Sequence, residues 1–155
     1  MDTPTRVSGD TVHESEYRPP DLSLIGAAHI QRYLETDGAD GHEWNGVPIL
    51  LLTTTGRKTG EPRTSALIYG RHGPDYLVVA STGGAPRHPA WYLNLQAHPE
   101  AEIKVKAEHS RVIARTAVGD ERRRLWDIAT GYWPNYNVYQ GRTSRLLPVV
   151  VLSPV

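Results

Sequence analysis

Apolar and polar positions fall into short blocks of two periods. Leu22, Ile25, His29, Ile30 and Leu34 recur near helical spacing, and Asp21 is a candidate N-cap, which predicts a helix ending near Gly38. Residues 37–46, DGADGHEWNG, read as a loop. The run Ile49-Leu50-Leu51-Leu52 and three threonines predict a strand over 48–55 with both faces covered. Strands are also predicted over 64–69 and 75–81, joined across Gly70–Pro74 by a hairpin-like turn. A glycine-containing loop, 82–87, then leads to a short helix over 89–97. Alternating Ile103/Lys104/Val105/Lys106 predicts a half-exposed strand over 101–107, followed by another over 110–118. Gly119-Asp120-Glu121 opens a helix reaching about Gly131, with its acids in the first turn. Residues 132–141 form an aromatic loop or short helix. The last strand is predicted over 146–152, where Pro148 suggests an edge or a bulge.

Strands therefore group together, and no sustained strand–helix–strand alternation is present. This pattern favours an α+β domain with an antiparallel sheet or barrel over a doubly wound sheet. Residues 1–20 are polar and end in Pro19-Pro20, so they are expected to be a flexible tail, with a single domain over 21–155. A chain of 155 residues suits one domain.

Composition narrows the chemistry. Cysteine is absent, which removes disulfides, thiolate metal sites and cysteine nucleophiles. Histidines show no paired metal-ligand spacing, and G-x-S-x-G and Walker patterns are missing. Acids and bases balance at 17 each, which argues against nonspecific nucleic-acid binding. Their distribution is uneven: net −6 over residues 1–43 and +6 thereafter. The basic body leaves room for an anionic small molecule. The start lacks a secretory signal and no stretch is apolar enough to span a membrane, so a cytoplasmic location is expected.

Three segments carry candidate chemistry. Thr55–Arg63 sets Arg57, Lys58 and Arg63 among two glycines, which suits an anion; a solvated turn would have the same composition. Ala80, Ser81 and Gly83-Gly84 precede a helix carrying Trp91, offering backbone amides to an anion or a polar ring edge; the same segment would also serve as a plain connection with Trp91 in the core. Tyr132, Trp133, Tyr136 and Tyr139 are dense enough to wall a flat pocket, or to pack on one another. Arg142 and Arg145 lie near enough to reach an anion. These are the parts of a site where a cofactor brings the chemistry.

The stretches TTTGRKTGEPR, LIYGRHGPDYLVVASTGGAPRHPAWYLNLQAHPEAEI and YWPNYNVYQGRTSRLLPVVVL, in this order, resemble the deazaflavin-dependent nitroreductase family of actinobacteria over roughly residues 45–153. The resemblance implies a split β-barrel that binds reduced coenzyme F420, whose tail carries a phosphate and glutamates. It implies that Arg57, Lys58 and Arg63 hold that tail. Ala80, Ser81, Gly83 and Gly84 would lie against the deazaflavin edge, and Trp91 would line the cofactor site. Tyr69, Trp133, Tyr136 and Tyr139 would line the substrate side. Tyr136 or Tyr139 would orient the acceptor and Ser81 would polarise it. Trp133 and Thr82 depart from the family pattern, where a Tyr and a Lys are expected.

The function expected is hydride transfer from F420H2 to a flat, electron-poor acceptor such as a quinone or a nitroaromatic. The N-terminal helix, near Trp44, is expected to cover the pocket, and its apolar residues suggest peripheral membrane contact. The competing readings are an FMN-dependent split-barrel oxidoreductase, a non-catalytic deazaflavin or haem carrier, and a nucleic-acid-binding barrel.

Overall fold

The computed structural model describes residues 16–155. In chain order come α1 (Gly26–Thr36), β1 (Glu43–Trp44), β2 (Val47–Thr55), β3 (Pro62–Ile68), β4 (Gly70–His72), β5 (Asp75–Val79), α2 (Ala90–Ala97), β6 (Glu100–Val105), β7 (Glu108–Thr116), α3 (Gly119–Tyr132), α4 (Asn135–Gly141) and β8 (Val149–Pro154). A 3-10 turn, Thr82–Gly84, follows β5. All strand pairings are antiparallel, in the order β1-β2-β6-β7-β8-β5-β4, with β3 also paired to β2. The result is an α+β half-barrel flanked by four helices.

The continuous apolar run of β2 is explained by its two covered faces. Leu50 and Leu52 point into the barrel with Val78, Ile103, Val112 and Leu152. Ile49 and Leu51 point outward beneath Tyr33 of α1. β8 splits the same way: Val150 and Leu152 face the barrel, whereas Val149 and Val151 meet the α3–α4 layer. Burying each such aliphatic side chain is worth about 1.5–3 kcal/mol, so both layers are held by the period-2 pattern of the strands.

The Tyr33 hydroxyl pins α1 to the sheet. It lies 3.0 Å from the Ile49 carbonyl and 3.3 Å from the Lys104 carbonyl, and it accepts from the Lys106 amide at 2.8 Å. Lys104 donates to Asp37 at 2.8 Å. The helix stops where Asp37 and Gly38 take left-handed conformations (φ 49° and 83°).

Several expectations need correction. Asp21 is not the N-cap of α1, which starts at Gly26; its carboxylate instead accepts from the Ser23 amide at 2.9 Å. The strand over 62–68 does not pair with the one over 75–79. β3 returns to β2 through the basic loop, and β5 pairs with the short β4. β8 is neither edge nor bulge, since β5 and β7 flank it. Pro148 precedes its first residue and offers only its carbonyl, which accepts from the Ala80 amide at 2.9 Å. Of the expected tail, residues 1–15 lie outside the described residues. Arg18 is held, exchanging backbone bonds of 3.0 and 2.8 Å with the buried Asn135 side chain.

Candidate cofactor and acceptor site

β5 ends at Val79, and the chain must turn sharply to reach α2. One side chain organises that turn. Arg145 donates to the carbonyls of Ser81 (2.8 Å), Ala85 (2.8 Å) and Ala80 (3.1 Å), and to His88 Nδ1 at 3.0 Å. His88 therefore accepts at Nδ1, and burial with the adjacent guanidinium lowers its pKa. Gly84, at φ 86°, lies against α4. A Cβ there would sit 2.5 Å from the Tyr139 carbonyl oxygen, so only glycine fits.

α3 and α4 supply an aromatic wall. Trp133 sits at the break between them, and Tyr136 and Tyr139 follow at one-turn spacing with their rings 6.1 Å apart. Burial pushes the Tyr136 phenol well above its usual range, and burial also raises Tyr139. Both stay neutral at physiological pH. Tyr136 makes no side-chain hydrogen bond with the described residues, which leaves its hydroxyl available to a ligand.

These pieces meet α1 and β3 around a cavity of about 700 Å³. Its walls are Ile25–Ile30 apart from Ala28, Trp44 and Ile49 on one part; Thr64–Ile68 of β3; Val79, Ser81, Thr82 and Gly83; Pro89 and Trp91; and Trp133, Tyr136 and Tyr139. The lining is mainly apolar, the surroundings that suit a flat conjugated ligand. Trp44 packs 5.8 Å from Trp133, joining the α1 side to the aromatic wall. α1 is thus a wall of the cavity.

A second cavity, of about 390 Å³, lies over the basic loop. Gly56, Arg57, Lys58, Thr59 and Arg63 line it together with Asn94. The loop is held from below. Buried Asn94 accepts from the Arg57 amide at 3.1 Å and donates to Thr54 at 3.1 Å. The Lys58 and Arg63 side chains are exposed and form no hydrogen bond or ion pair with the described residues. Thr64, Ser65 and Trp91 line both cavities, so the apolar chamber adjoins the loop that carries Lys58 and Arg63.

Of the expected site residues, Ser81, Gly83, Trp91, Trp133, Tyr136 and Tyr139 converge on the first cavity, and Arg57, Lys58 and Arg63 on the second. Three do not line either. Ala80 is fully buried in the barrel, and Gly84 is covered by α4. Tyr69 is buried in the barrel with its hydroxyl 3.0 Å from His42 Nε2. Arg145 lines neither cavity; its guanidinium is engaged by the turn through four hydrogen bonds. The sequence reading missed His29, a buried cavity residue, and Asn94. His29 sits among apolar residues at helical spacing and resembles a core position; Asn94 carries no motif.

Fold and site together define a split β-barrel suited to an extended ligand, flat and apolar at one end and anionic at the other. Comparison with known proteins narrows this. A family model described as F420H(2)-dependent quinone reductase matches residues 27–154. A relative from Mycobacterium tuberculosis (strain ATCC 25618 / H37Rv), named an F420H(2)-dependent quinone reductase, is 47% identical over 129 residues, covering 81% of this chain and 87% of the relative. A solved F420-H2 dependent reductase is 38% identical with a TM-score of 0.64, covering 68% of this chain and 94% of its own. A solved domain-swapped dimer is 37% identical with a TM-score of 0.67, covering 80% and 93%. The chain belongs to the F420H(2)-dependent quinone reductase family.

Proposed function

We propose that this protein reduces a quinone at the expense of F420H2. The observation that carries the reading is the junction at Thr64, Ser65 and Trp91, where the apolar cavity adjoins Lys58 and Arg63, side chains without an ion-pair partner among the described residues. A deazaflavin with an anionic tail needs both environments, and the residues present fit it. Arg57, Lys58 and Arg63 would hold the phosphate and carboxylates. Ser81, Gly83 and Trp91 would border the deazaflavin, with Ala80 and Gly84 shaping that border from behind.

When bound, F420H2 supplies a hydride. This chain's task is then to orient an acceptor, exclude water and manage one proton. The neutral Tyr136 hydroxyl would donate to an acceptor oxygen, steadied by Tyr139, while Trp133 and Trp44 flank a planar ring. Ser81 would polarise the same carbonyl. Tyr69 would act from the barrel rather than by contact. Nitroaromatics share the flat, electron-poor character of quinones and belong to the same proposal.

The unit carrying this activity would span residues 21–155. No helix among the described residues is long and apolar enough to cross a membrane. Leu22, Ile25 and Leu34 are each about half exposed around α1, which supports peripheral contact of a cytoplasmic protein with a membrane holding its quinone.

The test is a fluorescence titration with F420 at low and high salt, followed by F420H2 oxidation with menadione. Salt-sensitive binding and menadione-dependent oxidation are expected. Absence of F420 binding would overturn the reading; purification with bound FMN would replace it by the flavin alternative. Binding without oxidation by any quinone would leave a carrier.

A further inference from the structure

Reduction of a quinone by a hydride leaves one oxygen anionic, and that oxygen needs a proton inside a chamber walled by apolar groups. Among the described residues, the lining side chains able to give up a proton near the physiological range or above it are His29, Tyr136 and Tyr139. Both phenols are held neutral by burial and are poor acids. Imidazole is the side chain whose ordinary titration falls near neutrality.

The setting of His29 is specific. It is 3% exposed, yet it lines the cavity. Its Nε2 lies 2.7 Å from the Gly41 carbonyl oxygen. A carbonyl only accepts, so Nε2 carries a hydrogen, which fixes the tautomer and leaves Nδ1 as the nitrogen able to carry a second proton. Nδ1 has no hydrogen-bond partner among the described residues. The loop is shaped for this contact. Gly41 has φ 109°, and a Cβ there would lie 3.1 Å from His29 Cδ2. Trp44 packs on the ring with centroids 6.4 Å apart.

We propose that His29 is the proton donor of the acceptor site, its imidazolium Nδ1–H protonating the oxygen that becomes anionic when a quinone receives a hydride. The inference rests on the quinone-reductase reading above. The quinone gains an electron pair with the hydride and one proton from Nδ1, giving the hydroquinone. The neutral ring takes a proton back from solvent. Oxidation of F420H2 releases the hydride and one proton, which closes the balance.

The charged groups around His29 have partners of their own. On α1, Arg32 pairs with Asp40 and Glu35 accepts from Gln31. On the following loop, Asp37 pairs with Lys104, His42 meets Tyr69 and Glu43 accepts from the Gly46 amide. From α4, Tyr136 and Tyr139 line the same cavity, and among the described residues none of these groups hydrogen-bonds to His29 Nδ1.

The test has two arms on the full chain. In the cofactor-free protein, the His29 Cε1 resonance is followed by NMR from about pH 5 to about pH 9, with and without naphthol. Naphthol is expected to displace the resonance; no displacement at any pH overturns the proposal. In the second arm, His29→Gln, which keeps a donor for Gly41, is assayed with F420H2 and menadione. The expected result is a loss in kcat/KM on the order of 10²-fold on the acid side, shrinking as pH rises, with F420 affinity unchanged. An unaltered pH profile with full activity overturns the proposal while leaving the quinone-reductase reading intact. A wild type inactive with every quinone, but with His29 responding to naphthol, would sink that reading and not the acid site. If His29→Gln fails to fold, His29→Asn and the wild-type titration decide.

Discussion

Arg145 Nη2 donates to the Ser81 carbonyl at 2.8 Å, so the chain from β8's approach holds the turn that the cavity opens on. The same guanidinium satisfies Ala80 and Ala85. Lysine has a single point charge and cannot span three carbonyls and a ring nitrogen. Arg145→Lys should lower stability by about 2 kcal/mol, read from urea midpoints, and weaken cofactor binding as the Ser81–Gly84 wall relaxes. An unchanged midpoint would show that the turn holds itself.

The clamp also makes a pH prediction. His88 and His42 both have folded-state pKa values lowered first by burial, with Arg145 adding to the first and Lys106 to the second. In the histidine range the folded chain then binds fewer protons than the unfolded one. Their contribution is whole above the ordinary histidine pKa and is lost as pH falls through the depressed folded values. The melting temperature should therefore drop between about pH 7 and about pH 5. His88→Gln should flatten part of that drop; an equally steep profile in the variant would clear His88.

These effects trace the limit of what the sequence carries. The strands were legible because their faces are covered by different layers, so Ile49–Leu52 and Val149–Leu152 are apolar at every position. Pairing was not legible: β3 and β5 look like hairpin partners across Gly70–Pro74, yet closure of the barrel sends β3 back to β2. The basic loop and the aromatic cluster were legible as dense local composition. His29 and Asn94 act through contacts 12 and 37 residues away, and no local pattern records those. The charge of Arg145 is visible in sequence, and the carbonyls it donates to are not.

Gly84 gives a steric test of how the turn meets α4. Its φ of 86° is unfavourable for alanine, and the new methyl would meet Tyr139 backbone, which cannot swing aside. Gly84→Ala should cost about 3 kcal/mol or shift α4, raising the KM for acceptor as Tyr136 and Tyr139 move. Gly83→Ala carries the backbone penalty without the clash, since nothing lies within 4 Å of its Cβ position. It should therefore be the milder of the two in thermal melts. Equal losses would mean that contact with α4 is unimportant.

The basic loop separates binding from folding. Arg57 and Lys58 are exposed at a hairpin tip whose backbone is held by Asn94. Arg57→Ala with Lys58→Ala should leave the melting temperature nearly unchanged and weaken F420 binding roughly 10- to 100-fold at low salt. The salt dependence of the remaining affinity should flatten, because fewer charges contribute to it. Wild-type affinity in the double variant would remove the anionic tail from this loop.

Tyr136 tests whether the aromatic wall is more than packing. Its ring is 3% exposed and wedged among Trp126, Tyr132 and Tyr139, contacts that phenylalanine reproduces. Its hydroxyl has no hydrogen-bond partner among the described residues, so removing it strands no buried group. Tyr136→Phe should therefore fold with wild-type stability and bind F420 normally. Turnover with menadione should fall about 10-fold, the scale of one lost hydrogen bond to the acceptor oxygen. The loss should persist across the pH range, since the neutral phenol does not titrate there. That flat ratio distinguishes it from the pH-dependent loss expected at His29. Full activity with every quinone tried would make Tyr136 a packing residue and shift the orienting role to Tyr139.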